Sequence, residues 1–89
     1  MKQRYLEVTF LRGKPVAAYL YLPRDTNDHS ARTEKREKGL LVDYAADGRA
    51  IGIEITAPNQ VTLEAINHTL AALAEEPATS EEFAPVAGG

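Results

Sequence analysis

Apolar and polar residues alternate from Tyr5 to Leu11, and Val16 to Leu22 is rich in β-branched, aromatic and aliphatic side chains. Both segments read as strands, joined tightly through Arg12-Gly13-Lys14-Pro15. A turn centred on Gly13-Lys14 sets Phe10 against Ala17, Val8 against Tyr19 and Leu6 against Tyr21. That register gathers Leu6, Val8, Phe10, Tyr19 and Tyr21 on one face. The other face carries Leu11, Val16, Ala18, Leu20 and Leu22, so both faces of this hairpin are expected to be at least partly covered.

A second hairpin is predicted from Gly39–Tyr44 and Ala50–Thr56, turning at Asp47-Gly48, where both central positions of a two-residue turn need positive φ. It pairs Tyr44 with Ile51, Val42 with Ile53 and Leu40 with Ile55, leaving Leu41, Asp43, Gly52 and Glu54 on the opposite face. Between the hairpins, residues 23–38 hold five bases and four acids with no apolar period, and read as a long polar loop.

Leu63, Ile66, Leu70, Leu73 and Ala74 recur at helical spacing, with Thr62 as N-cap and Glu64 in the first turn. This helix is too short to stand without packing, and its stripe is expected on the triple-isoleucine face. Beyond Glu75-Glu76-Pro77 the composition shifts to Ala, Ser, Glu, Pro and Gly, which reads as a disordered acidic tail over residues 77–89. The fold expected is therefore one α+β domain over residues 1–76. It is a four-stranded antiparallel sheet of two consecutive hairpins with one C-terminal helix packed on one face.

With 89 residues the chain has room for one domain and a small core, and without cysteine neither a disulfide framework nor a thiolate metal site can supplement it. The sequence has neither the apolar run of a signal peptide nor the length of a membrane span, so a cytoplasmic protein is expected. Its net charge of −3 is unevenly spread. All ten bases lie in residues 1–60 beside eight acids, whereas residues 61–89 carry five glutamates and no base. An acidic total disfavours nucleic-acid binding by the chain alone, because phosphate contacts need concentrated cations.

No phosphate-binding glycine loop, nucleophile elbow or metalloprotease histidine pair is present. His29 and His68 are isolated and read as solvated, so no catalytic set, metal site or cofactor is assigned. Asp43 and Glu54 share a predicted sheet face near Gly52. Paired carboxylates can divide acid and base roles, although alternation also places polar residues on an outward face. Arg32, Lys35, Arg36 and Lys38 are interspersed with Glu34 and Glu37, the pattern of a solvated charged segment that also suits partner contacts. Since one short helix covers one sheet face, Leu6, Val8, Phe10, Tyr19, Tyr21 and Leu41 form a candidate interface.

Gly39-Leu40-Leu41-Val42-Asp43-Tyr44, then Asp47-Gly48-Arg49, then Ile51-Gly52-Ile53-Glu54-Ile55 resembles the signature of the small bacterial domain of unknown function 2283 family. Ala18-Tyr19-Leu20-Tyr21-Leu22 is similar to that family's tyrosine-containing second strand. Members often carry an acidic pair around the first turn, where this chain has Arg12-Gly13-Lys14-Pro15 and Val16. The resemblance implies a compact, β-rich bacterial domain with no established activity. The function expected is a non-enzymatic interaction module, self-associating through the apolar face or an edge strand, or binding a partner protein. An antitoxin-like or nucleic-acid-associated regulator acting with a partner is the alternative. A small enzyme using Asp43 and Glu54 is a weaker one.

Overall fold

A computed structural model describes residues 3–87; residues 1, 2, 88 and 89, at the ends of the expected domain and tail, lie outside the described residues. The chain is α+β, as expected, but its antiparallel sheet has five strands rather than four. These are β1 (Tyr5–Leu11), β2 (Lys14–Tyr21), β3 (Arg32–Glu37), β4 (Leu40–Tyr44) and β5 (Ala50–Ile55), in the spatial order β1-β2-β5-β4-β3. Helices α1 (Leu63–Ala72) and α2 (Ser80–Ala87) follow.

The first turn is Arg12-Gly13, with φ of 53° and 79°, rather than Gly13-Lys14. Two positive φ values make the tight turn whose twist matches the strands it joins. Moving the turn by one residue shifts the pairing by two and leaves the faces unchanged. The extra residue Val16 in β2 makes the net shift one, and this flips the side chains relative to the expected register. Leu6 faces Leu20 and Val8 faces Ala18, both pairs on the core side, while Glu7 faces Tyr19 and Tyr5 faces Tyr21 on the other. An irregularity after Thr9 then pairs Phe10 with Pro15.

Six residues of the expected polar loop are a strand. β3 pairs along β4, with Thr33 opposite Asp43 and Lys35 opposite Leu41. Its backbone is satisfied by β4 on one side, and as an edge strand it needs no apolar face, so hydrophobic periodicity gives no sign of it. Gly39, at φ 81°, makes the turn into β4. The remaining connection is tied down by Arg49, whose guanidinium meets Asp28 and Asp47 at 2.7 Å each.

The second predicted turn is also corrected. Ala45 N–H donates to the Arg49 carbonyl and Gly48 N–H to the Ala45 carbonyl, closing a three-residue loop with Gly48 at φ 92°. Tyr44 therefore pairs with Ala50. A register shift at Ile51 then restores Val42 to Ile53 and Leu40 to Ile55, the two pairs expected.

Both helices pack on the same sheet face. Thr62 caps α1 by accepting from the Ala65 N–H at 3.0 Å. Ile66 and Leu70 are fully buried in one cluster with Leu20, Val42, Ile53 and Ile55. The expected disordered tail is instead α2, whose Phe83 and Val86 belong to that cluster. Thr79 and Glu82 stand at capping-box spacing, and the Thr79 side chain accepts from the Glu82 N–H. Asn67 exchanges two hydrogen bonds with the Ala78 backbone. Arg4 grips Glu82 through two bonds of 2.9 Å and reaches the Glu76 and Pro77 carbonyls. No helix among the described residues is long and apolar enough to cross a membrane.

Candidate functional site

Alternation along β4 sends Leu40, Val42 and Tyr44 into the core and Leu41 and Asp43 to the face without helices. Asp43 is nevertheless only 7% exposed. Its carboxylate accepts from the Tyr19 hydroxyl at 2.7 Å and the Thr33 hydroxyl at 2.5 Å, one donor from a strand on each side of β4. Two charge-assisted bonds of this kind offset the cost of burying the charge.

Tyr19 lies on β2, and β5 runs between β2 and β4. The phenol crosses β5 over Gly52, which pairs with Tyr21 on one side and Asp43 on the other. A Cβ built on Gly52 would collide with the Tyr19 hydroxyl and Cζ, so glycine is what lets the ring span a strand. Burial and the bond to Asp43 push the Tyr19 pKa upward, the Asp43 charge adding to both, so the phenol stays a proton donor. Arg24 opposes this shift without cancelling it.

Glu54 stands opposite Tyr19 and Leu41 on the same face. Partial burial, then the Asp43 charge, raise its pKa. Tyr19, Glu54, Glu7 and Thr9 line a shallow depression of about 200 Å³. An aromatic row extends the platform, with Tyr19 and Tyr21 meeting edge to face at 4.6 Å and Tyr5 5.8 Å from Tyr21. The Arg24 guanidinium lies 5.0 Å over the Tyr21 ring. Among the described residues no cluster of three metal-ligating side chains forms, and no buried side-chain polar atom lacks a partner.

The structure divides the candidate interface. Tyr19, Tyr21 and Leu41 share the open face with Asp43 and Glu54, whereas Leu6 and Val8 pack against the core and Phe10 is exposed near the hairpin tip. The basic candidates lie along β3 and its turn. Arg32 sits 4.4 Å over the Tyr44 ring and pairs with Glu34, and Arg36 donates to the Tyr44 hydroxyl at 2.6 Å. Lys35 lies exposed on β3 and Lys38 exposed in the turn after it. Thr33 was not anticipated, since its strand was not.

Residues 17–57 match the family described as Protein of unknown function (DUF2283), in agreement with the resemblance read from the sequence. That segment holds Tyr19, Thr33, Asp43, Gly52 and Glu54, while β1 and both helices lie outside it. No curated protein and no solved structure gave a significant match.

Proposed function

We propose that this protein is a non-enzymatic, self-associating interaction module that presents its β1–β2 hairpin and open sheet face. One observation carries this reading. The large apolar side chains left exposed among the described residues are Tyr5 (53%), Phe10 (53%), Leu11 (62%) and Val16 (43%), all on that hairpin. Such a concentration on one hairpin, with Phe10, Leu11 and Val16 together at its tip, is costly in water and marks a contact surface. A depression of about 650 Å³ opens at the same end, lined by Pro15, Val16, Pro58, Val61 and Val86 among others. The carboxylate network fits a supporting role, because Asp43 uses its two oxygens to fix Tyr19 and Thr33 in place.

Sedimentation equilibrium across a wide concentration range tests the reading. The expected result is a reversible dimer that Leu11→Glu weakens roughly tenfold or more, on about 1.5 kcal/mol of lost apolar burial. A strict monomer at high concentration would sink it.

A further inference from the structure

The sheet has two open edges, and they are built differently. β3 carries five charges in six residues and a register irregularity after Lys35, both devices that discourage strand addition. β1 is seven residues long, with Glu7 its single charge and neither lysine nor proline. Its own irregularity falls on β2, where Val16 is the extra residue, so β1 itself stays regular. This is the unprotected edge of the sheet.

We propose, building on the self-association argued above, that β1 pairs antiparallel with β1 of a second copy about a two-fold axis at Val8. The strand is self-complementary in that register. Glu7 then faces Thr9 of the second copy, Leu6 faces Phe10 and Tyr5 faces Leu11, so no like charges oppose one another within the strand. A two-fold axis at Glu7 would instead set the two glutamates directly opposite. Beyond the strand end Arg4 approaches Arg12 of the second copy, but Arg4 is already neutralised by Glu82. Pairing at β1 leaves the two charged β3 strands as the outer edges, so the assembly closes at a dimer rather than growing into a fibre.

Because the chain has no cysteine, engineered thiols report this geometry without background. Glu7 and Thr9 are both exposed, so neither substitution disturbs the core. A mixture of Glu7→Cys and Thr9→Cys proteins, oxidised slowly, is expected to give a disulfide-linked dimer. Neither variant alone should, since like positions are then ~8 Å apart, beyond the reach of a disulfide. A dimer by mass whose mixture fails to cross-link, or one that cross-links through Lys35→Cys on β3, would overturn the β1 pairing while leaving self-association intact. A monomer would overturn both.

Discussion

On the covered face Leu20, Val42, Ile53 and Ile55 meet Ile66 and Leu70 of α1 and Phe83 and Val86 of α2, whereas on the open face Tyr19 and Thr33 converge on Asp43. The first arrangement is non-directional and gains from every buried methylene. The second is directional and fixes the position of particular groups, at the expense of a buried charge that must stay satisfied. Stability is therefore expected to reside mainly in the helical side. The open side instead holds a surface of aromatic and carboxylate groups that no helix among the described residues covers.

Truncating the covered face should give the largest loss. Phe83→Ala is expected to cost about 3–4 kcal/mol in a denaturant melt, as for other buried aromatic truncations. A neutral result would mean that α2 does not close the core. Gly52→Ala comes next, at roughly 1–3 kcal/mol, because the new methyl displaces the Tyr19 ring and costs Asp43 a donor. That penalty should shrink in a Tyr19→Ala background, and a double-mutant cycle measures the coupling. If the two effects simply add, the strand-spanning phenol is not what requires glycine. Tyr19→Phe alone should cost about 1–2 kcal/mol, from leaving a buried carboxylate one hydrogen bond short.

The smallest effect concerns Glu54. Its raised pKa means that the folded chain holds this proton more tightly than the unfolded one. Its contribution to stability is thus fully present in acid and falls as pH rises from the ordinary glutamate range through the raised value. Glu54→Gln should remove that slope. Asp43→Asn should move the Glu54 titration part of the way back down, followed by carboxyl carbon-13 shifts. A titration left unchanged would assign the whole shift to burial.

Much of the second hairpin was legible because alternation is strict there: Leu41, Asp43, Gly52 and Glu54 fall on one face in both sequence and structure. The partners of Asp43 were not. Tyr19 falls on the wrong side in the sequence reading because an unbulged hairpin is assumed. Val16 is an extra residue in β2 that flips every side chain beyond it, and a bulge leaves no mark in the hydrophobic pattern. Thr33 was hidden in a charged edge strand, where backbone pairing rather than hydrophobic burial sets the structure. The α2 helix was masked by tail-like composition, although Thr79 and Glu82 at capping-box spacing, followed by Phe83 and Val86, were a readable signal.

Backbone hydrogen exchange, read residue by residue at low and high protein concentration, most directly tests whether the sheet is completed by a second copy. The outward-facing amides of β1 should slow markedly as concentration rises, while those of β3 exchange at an unchanged rate. Slowing confined to β3, or no concentration dependence at either edge, would contradict the account.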